Sequence, residues 1–493
     1  MLKLYNTLNN KKEEFHPINK SKIGIYVCGI TAYDSCHLGH ARAAVVFDVI
    51  VRYLRYNEYD VTYVRNYTDI DDKIINRSNK EGVSCKEISE RYIKEYEEDM
   101  GAVGVLSPDI KPKATEHIKE MITAIEHLIE KGLAYEVNGS VYFSVRKFPG
   151  YGKLSGKNIE DLESGARVEV DETKNDPLDF ALWKASKPNE PKWVSPWGEG
   201  RPGWHIECSV MSSKYLGQPF DIHGGGRDLV FPHHENEIAQ AEGICGCKFV
   251  NYWIHNGFIN INAEKMSKSL GNIKTIREIL SLYDHETIRY FLLSNHYRSS
   301  IDYTEENLSN AERAVISFYA SLEHIVEAAK QCDDSKKVRI NEYEQDLVKA
   351  IEDYNKEFKK SMDDDFNTVS VIGSTFDLLR EVNGYVIDKK KQSSQDAKAK
   401  IAGLFIKRIR ADVSKVIGIF GSDYDEYQMR QRAITSKRLN LDVANIESLV
   451  LERSKARKDK DFSKADSIRN KLDEMQVEVK DRPDGTSNWF VKI

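Results

Sequence analysis

The segments that decide the fold are "KIGIYVCG" (22–29), "GHARAAVVFDVIVRYLRY" (39–56) and "YDVTYVRNYTDI" (59–70). The first and third are short apolar runs typical of buried strands, and the second has the spacing of an amphipathic helix. Two strands joined through a helix form a right-handed parallel unit. Ligands bind at the carboxyl ends of the strands in such sheets, so the turn at 28–40 is a candidate site.

The composition indicates a globular protein of several domains. The chain has 493 residues, whereas a single core stops growing near roughly 250 to 300, so we expect about two to four domains. No apolar run is long enough to span a bilayer. The first residues lack the order of a secretory signal, which predicts a cytoplasmic protein without disulfides. The net charge of -6 limits any RNA contact to local basic patches.

The order of apolar patterns predicts an α/β fold. A Rossmann-like parallel-sheet domain carries an insertion rich in Pro, Gly and Trp, and an α-helical bundle and a small mixed α/β C-terminal domain follow. The boundaries that we predict are 1–115 for the first half of the sheet domain, 116–204 for the insertion, 205–305 for the second half, 306–400 for the bundle and 401–493 for the C-terminal domain.

Two short motifs have the side chains needed to bind phosphate. "KMSKS", residues 265–269, places two flexible cations in one loop, although such a loop alone is usually only solvated. "HLGH", residues 37–40, lies at the predicted turn from strand to helix, where imidazoles and helix N-terminal amides face an anion. A glycine there lets a flat base approach the backbone. Together the motifs favour nucleotide chemistry.

Four donors could form a metal site. His233 and Glu237 are four residues apart, so on a helix both side chains leave one face. Cys28 and Cys208 are plausible thiolate partners on neighbouring strand ends, and two sulfurs, one nitrogen and one carboxylate suit tetrahedral zinc. His234 would leave the helix about 100 degrees away and is the weaker ligand. An ordinary surface pair of His and Glu is the alternative.

Several other features have simpler explanations. "CGC" at 245–247 is more probably a helix-ending turn with incidental thiols than half of a metal site. The triple glycine at 224–226 suits either close approach of a nucleotide, with Asp228 bonding a ribose, or a structural turn. We expect the remaining cysteines to be small buried apolar residues, namely Cys36, Cys85 and Cys332.

"HLGH" followed far downstream by "KMSKS" resembles the signature pair of the class I aminoacyl-tRNA synthetases. Within that class, "YVCGITAYD", "RPGWHIECS", "DIHGGGRDLVFPHHENEIAQ" and "MDDDFNT" are similar to the cysteinyl-tRNA synthetases. The similarity continues to "KARKDKDFSKADSIRNKL" near the C-terminus. Leu38 departs from the usual Ile of the first motif, a change of similar volume that should leave the turn intact.

The resemblance implies a two-step reaction: cysteine and ATP form cysteinyl-adenylate, and the cysteinyl group then passes to the terminal adenosine of tRNA(Cys). It implies one Zn²⁺ per subunit, Mg²⁺ with ATP, no membrane partner and a monomer. The implied zinc ligands are Cys28, Cys208, His233 and Glu237. The implied nucleotide and phosphate contacts are His37, Gly39, His40, Gly226, Asp228, Lys265 and Lys268, and Thr68 and Trp204 would line the substrate pocket.

Zinc would also explain how cysteine is told from serine. A pocket without a metal separates such near-isosteres by only about a hundredfold, as sister synthetases illustrate. A thiolate bonds zinc at about 2.3 Å, whereas a hydroxyl is a poor ligand. We therefore predict no editing domain, for which the insertion is too small.

The C-terminal end is predicted to read the anticodon, and the bundle to lie along the inside of the tRNA. Residues 453–471 contain eight Lys or Arg against three Asp, and an exposed aromatic such as Trp489 could stack on a base. A solvated helix face is the alternative. Two rival functions remain: a ligase that joins cysteine to an amino sugar, whose relatives lack this end, and a non-catalytic protein that binds zinc and RNA.

Overall fold

The computed structural model describes residues 1–159, 174–261, 264–265, 274–330, 338–388, 393–481 and 487–492. The chain divides into two compact units. The first consists of Met1–Ile273, Leu292–Tyr303 and Lys356–Val371, and the second of Lys274–Phe291, Thr304–Asn355 and Ile372–Ile493. Lys268 and Cys332 lie outside the described residues.

The strands are short and most belong to the first unit. They are β1 Lys3–Asn6, β2 Lys11–Glu14, β3 Lys22–Thr31, β4 Asp60–Thr68, β5 Ala134–Val137, β6 Ser140–Phe143, β7 Phe180–Ala185, β8 Trp193–Ser195, β9 Gly198–Pro202, β10 Phe220–Gly226, β11 Val250–Asn256, β12 Ile259–Ile261, β13 Glu264–Lys265, β14 Ile301–Tyr303, β15 Val477–Asp481 and β16 Ser487–Val491.

Helices surround these strands and make up most of the second unit. They are α1 Leu38–Tyr56, α2 Asp72–Glu81, α3 Cys85–Ala102, α4 Ile118–Glu130, α5 Trp204–Leu216, α6 Glu235–Cys245, α7 Ile276–Leu280, α8 His285–Leu293, α9 Glu305–Ala329, α10 Glu342–Asp363, α11 Thr368–Ile387, α12 Gln395–Ile409, α13 Lys415–Ile417, α14 Tyr424–Arg438, α15 Val443–Lys458 and α16 Phe462–Glu474. Among the described residues, none of these helices is long and apolar enough to cross a bilayer.

The centre of the first unit is a parallel sheet with the strand order β11-β10-β3-β4. The predicted succession of strand, helix and strand is confirmed as β3, α1 and β4. Helix α1 is buried along most of its length because its apolar positions cover nearly every face. Gly224 of β10 provides the space for α1, since a Cβ there would lie 2.2 Å from the ring of Phe47.

The predicted insertion is present as a separate antiparallel sheet. Its strand order is β5-β6-β7-β9-β8, and its residues lie in the chain between β4 and β10 of the parallel sheet. Trp183 is fully buried and belongs to the hydrophobic core that also contains Cys28 and Cys208. The insertion therefore shares a core with the parallel sheet instead of forming an independent one.

The second unit is helical and ends in a small α/β module, as predicted. Helices α15 and α16 pack on the hairpin of β15 and β16 around Ile446, Val450, Ile468, Leu472, Val477 and Trp489. The prediction that Trp489 is exposed is wrong, because its ring is 3% exposed and closes this core. The alternation along β16 places that position on the side that the helices cover.

Several cations of the basic segment 453–471 are paired with carboxylates and are not available to bind RNA. Arg453 and Arg457 both pair with Asp481, and Lys464 lies 2.7 Å from Glu452. The cations left on the exposed surface of the segment are Lys455, Lys458, Lys460, Arg469 and Lys471.

Two cysteine predictions need correction. Cys245 and Cys247 are joined in a disulfide, because the left-handed turn at Gly246 brings their Cα atoms to 5.2 Å, within the range that a disulfide bridges. Cys85 is half-buried instead of buried, because it is the first residue of α3. Cys36 is buried as predicted, and its Sγ lies 3.1 Å from Oδ2 of Asp99.

Candidate active site

An irregularity in β3 positions the first candidate ligand. The pairing of β3 with β4 shifts register between Val27 and Ile30, which brackets Cys28. Gly29 packs directly on Asn66 of β4: its N–H donates to the Asn66 side chain at 2.8 Å, and a Cβ at position 29 would lie 1.5 Å from the Asn66 carbonyl oxygen. A glycine is required there for the Cys28 side chain to reach its observed position.

Three donors meet at the carboxyl edge of the parallel sheet. The Sγ atom of Cys28 lies 3.6 Å from Sγ of Cys208, which is on α5, and 3.4 Å from Oε1 of Glu237, which is on α6. Strand β3, helix α5 and helix α6 thus each supply one side chain, so the expectation that Cys208 lies at a strand end is wrong. All three side chains are buried.

His233 and His234 both join this group. The Nε2 atom of His233 lies 3.0 Å from Oε1 of Glu237, and that of His234 lies 3.3 Å from Sγ of Cys28. We expected His234 to leave the helix about 100 degrees from His233 and to be the weaker ligand, but its Nε2 lies among the same donor atoms. The turn Val230–His234 before α6 is wide and contains non-helical Phe231, so ideal helical angles do not apply to it.

The donor set fits a metal ion. Donor atoms of Cys28, His233, His234 and Glu237 all lie within 4.8 Å of one another, and Cys208 joins them through its contact with Cys28. Tetrahedral zinc with bonds of about 2.0 to 2.3 Å separates its ligand atoms by about 3.3 to 3.8 Å. The separations of 3.6 and 3.4 Å from the Cys28 sulfur fall in this range.

Burial sets the protonation of these donors. Burial and the adjacent Cys208 raise the pKa of the Cys28 thiol well above its ordinary value. Burial and the neighbouring imidazoles lower the pKa values of His233 and His234 well below theirs, so both rings stay neutral. A neutral imidazole has a lone pair to offer a metal, and a bound cation would favour the thiolate form of each cysteine.

A shell of histidines that the sequence did not single out surrounds the donors. His223 Nε2 lies 2.7 Å from Oε2 of Glu237, and the Nδ1 atoms of His205 and His233 lie 2.8 Å apart. His255 Nε2 lies 2.8 Å from Nδ1 of His234. Such contacts fix the orientation of ligand side chains. The only sequence signal was one histidine in each of "WHIEC", "DIHGGG" and "WIHN", which is also typical of a buried polar residue.

Of the two residues predicted to line the substrate pocket, Trp204 contacts the cluster and Thr68 contacts Glu207, the neighbour of Cys208 in the chain. The Trp204 ring, 38% exposed, stacks on the ring of His233 with centroids 4.1 Å apart. Thr68, at the end of β4, is buried and donates its hydroxyl proton to Glu207 at 2.6 Å. Burial raises the pKa of Glu207 well above its ordinary value. Glu207 is a further residue that sequence reasoning missed.

The first signature motif forms the N-terminus of α1. The Gly39 N–H donates to Nδ1 of His37 at 3.1 Å, and the His37 N–H donates to Nδ1 of His40 at 3.2 Å. The two rings stack with centroids 3.9 Å apart. A neutral imidazole that accepts at Nδ1 carries its proton on Nε2, so both rings are oriented to donate from Nε2. Phosphate oxygens accept such bonds.

The other predicted nucleotide contacts are less clearly arranged. Gly225 provides space for Leu229 and His234, which supports a packing role for part of the triple glycine. The exposed side chain of Asp228 folds back over Gly226, with Oδ1 2.4 Å from where a Cβ would be. Lys265 ends the short strand β13, and its side chain and the whole of Lys268 lie outside the described residues.

Comparison with known families matches three parts of the chain. Residues 14–313 match the catalytic domain of the class I (C) tRNA synthetases, residues 357–420 a DALR domain, and residues 443–488 the anticodon-binding domain of cysteinyl-tRNA ligases. The first match covers more than half of the chain.

Individual relatives and solved structures agree with the match to the class I tRNA synthetases. The cysteine–tRNA ligase of Thermodesulfovibrio yellowstonii is 53% identical over 500 residues, and that of Geobacter metallireducens 52% over 491 residues, each covering 100% of both chains. The methionyl-tRNA synthetase of Mycobacterium tuberculosis in complex with methionyl-adenylate has a similar fold, with a TM-score of 0.62 at 14% identity over 81% of this chain and 92% of that one. The chain belongs to the cysteine–tRNA ligase family, ATP-dependent enzymes of the class I aminoacyl-tRNA synthetases.

Proposed function

We propose that the chain activates L-cysteine with ATP and transfers the cysteinyl group to tRNA(Cys). The observation that carries the proposal is the buried group of Cys28, Cys208, His233 and Glu237 at the carboxyl edge of the parallel sheet. Cys28 lies in β3, and the helix that follows β3 begins with the paired imidazoles. One member of the thiol-selective group and the phosphate-binding imidazoles therefore lie on one strand and the helix that follows it.

We propose these four residues as the ligands of Zn²⁺. When bound, zinc would take the substrate thiolate as a further ligand and discriminate against the hydroxyl of serine. His205 and His223 hold His233 and Glu237 in place. With selection made at binding, no hydrolytic editing domain would be needed, which remains a prediction.

The roles proposed for the other residues follow from their chemistry. His37 and His40 donate to ATP phosphate oxygens, and Lys265 and Lys268 neutralise the departing pyrophosphate, with Mg²⁺ accompanying ATP. Gly39, Gly226 and Asp228 contact the nucleoside. Trp204 and Thr68 line the cysteine pocket, with Glu207 fixing the orientation of the Thr68 hydroxyl.

The reaction needs no nucleophile from the protein. A carboxylate oxygen of cysteine attacks the α-phosphorus of ATP, the bond from that phosphorus to the bridging oxygen breaks, and pyrophosphate leaves. A ribose hydroxyl of the terminal adenosine then attacks the carbonyl carbon, and AMP leaves. The protein contributes by holding the reacting groups close and by stabilising the charge that develops.

The tRNA contacts are assigned to the C-terminal half. The match of residues 443–488 to an anticodon-binding domain supports this and disfavours an amino-sugar substrate. Because Trp489 is buried, the cations at 455, 458 and 460 and the half-buried Phe490 are better candidates for base and phosphate contacts. We retain the five predicted domain boundaries and expect a monomer that works in the cytoplasm.

Pyrophosphate exchange measured with each of the twenty amino acids tests the proposal. We expect ATP–pyrophosphate exchange with cysteine and none with serine. Cys208→Ser should remove most of this exchange, whereas the matched variant Cys36→Ser, which alters a buried thiol outside the cluster, should retain it. Exchange that does not depend on cysteine, or equal loss in the two variants, would refute the assignment.

A further inference from the structure

The cysteine pair at the end of α6 takes no part in the reaction described above. Cys245 is the last residue of α6, and Cys247 follows after one glycine. Cys245 is exposed and Cys247 half-exposed, whereas Cys28, Cys36 and Cys208 are buried. The disulfide between Cys245 and Cys247 is thus the sulfur pair that a small molecule in solvent can reach within the described part of the chain.

This disulfide contributes little to the stability of the fold. A bond between cysteines two positions apart closes a very small loop, and a small loop removes little entropy from the unfolded chain. The turn is also held without it: the Gly246 N–H donates to the Glu242 carbonyl at 2.7 Å, and Nε2 of Gln218 donates to the Cys247 carbonyl at 3.4 Å. Stability therefore gives no reason for the pair.

A cation lies at the helix end that contains Cys245. The C-terminal end of a helix carries partial negative charge, which disfavours a thiolate. At this end, however, the ammonium group of Lys131 donates to the carbonyls of Ile244 and Gly243, at 2.6 and 3.2 Å. The positive charge of Lys131 therefore offsets the partial negative charge of the helix end that contains Cys245.

We propose that Cys245 and Cys247 form a reversible dithiol–disulfide site that exchanges with low-molecular-mass disulfides such as oxidised glutathione. Exposed disulfides are the labile ones, and disulfides in reducing compartments are usually redox-responsive. This proposal rests on the exposure, spacing and surroundings of the pair and is independent of the proposed function.

The exchange occurs in two balanced steps. The Cys245 thiolate attacks one sulfur of oxidised glutathione, forming a mixed disulfide and releasing one glutathione thiolate. The Cys247 thiolate then attacks the Cys245 sulfur, forming the intramolecular bond and releasing the second glutathione. The protein dithiol is oxidised, one glutathione disulfide is reduced to two glutathiones, and the two thiol protons pass to the released thiolates.

The test equilibrates the full-length protein in buffers of varied reduced and oxidised glutathione, blocks free thiols with a maleimide, and quantifies the 245–247 peptide by mass spectrometry. We expect this peptide to change from mostly dithiol to mostly disulfide across the series, while the peptides of Cys28 and Cys208 stay reduced. A pair that remains reduced throughout, or oxidised throughout, overturns the proposal.

Single variants test the order of the steps. Cys247→Ser should accumulate glutathione on Cys245, because no second thiol is present to release it. Cys245→Ser should take up glutathione on the half-exposed Cys247 more slowly, on the order of tenfold. Absence of the mixed disulfide in Cys247→Ser, or equal rates in the two variants, overturns the assignment of Cys245 as the entry thiol.

Discussion

Asp365, in the middle of "MDDDFNT", allows a sharp test of how the first unit is held together. Its side chain is fully buried and accepts hydrogen bonds from the Tyr5 N–H at 2.8 Å, the Tyr297 hydroxyl at 2.7 Å and Nε of Arg298 at 2.7 Å. Its backbone is in the left-handed region, with φ of 61°. One carboxylate therefore connects β1 and the segment before β14 to the middle of the motif.

The cost of removing this carboxylate can be worked out from these contacts. Truncating one partner of a buried charge pair costs about 3 to 5 kcal/mol, and Arg298 is 35% exposed, which favours the lower end. The Tyr297 hydroxyl would be left without its acceptor, and a left-handed alanine adds about 1 kcal/mol. With about 1 kcal/mol for the hydroxyl, we expect Asp365→Ala to lower the free energy of unfolding by about 5 kcal/mol. Asparagine is more easily accommodated in the left-handed region, and its amide oxygen still accepts a hydrogen bond. Asp365→Asn should therefore lower the free energy of unfolding by only about 2 kcal/mol.

Urea unfolding followed by tryptophan fluorescence measures these changes. Of the six tryptophans, only Trp489 lies in the second unit, so the signal reports mainly on the first. The control is Asp364→Ala, since Asp364 pairs with Lys12 at the surface, where an ion pair contributes about 0 to 1 kcal/mol. The reasoning fails if Asp365→Ala costs no more than Asp364→Ala, or if Asn at 365 costs as much as Ala.

Three further predictions concern the site, the tRNA and pH. Cys208→Ser should lower zinc content and raise the KM for cysteine more than that for ATP; unchanged zinc stoichiometry in metal analysis would contradict the ligand assignment. Removing residues 441–493, which leaves α14 whole, should spare pyrophosphate exchange but weaken charging, and an unaltered KM for tRNA would contradict the anticodon role. Burial raises the pKa of Asp284, but His285 and Arg430 outweigh it and lower the pKa to about 2. The stability that Asp284 gives is therefore present above about pH 4 and lost as the pH falls towards 2. Arg430→Met should move the acid unfolding of the second unit to higher pH, as circular dichroism would show; an unmoved midpoint would exclude this linkage.

Sequence reasoning succeeded where local pattern determines position. The alternation of apolar runs around 22–70 predicted β3, α1 and β4. The nearness of Cys28 and Cys208 was also predicted, but on neighbouring strand ends, whereas Cys208 lies on helix α5. His233 and Glu237 were paired by helical spacing, and the structure places their donor atoms 3.0 Å apart.

Sequence reasoning failed where the position of a side chain depends on segments distant in the chain. His205, His223 and His255 are far apart in the chain and meet only through tertiary packing, so no local signal marked them as a shell. The alternation in β16 gave two faces for Trp489 but not which face α15 and α16 cover. Spacing alone could not decide whether Cys245 and Cys247 pair, because the answer depends on the left-handed turn at Gly246.

The close packing of Gly29 on Asn66 limits which residue can stand at position 29, although Gly29 supplies no donor atom to the site. A methyl group at position 29 would overlap the Asn66 carbonyl oxygen, so β3 and β4 would have to separate. The Cys28 sulfur would move with its strand, while Cys208 and Glu237, carried by helices, would not. The proposed selection of the substrate thiol would therefore be sensitive to substitution at a residue with no side chain, and the set of proposed metal ligands does not include that residue.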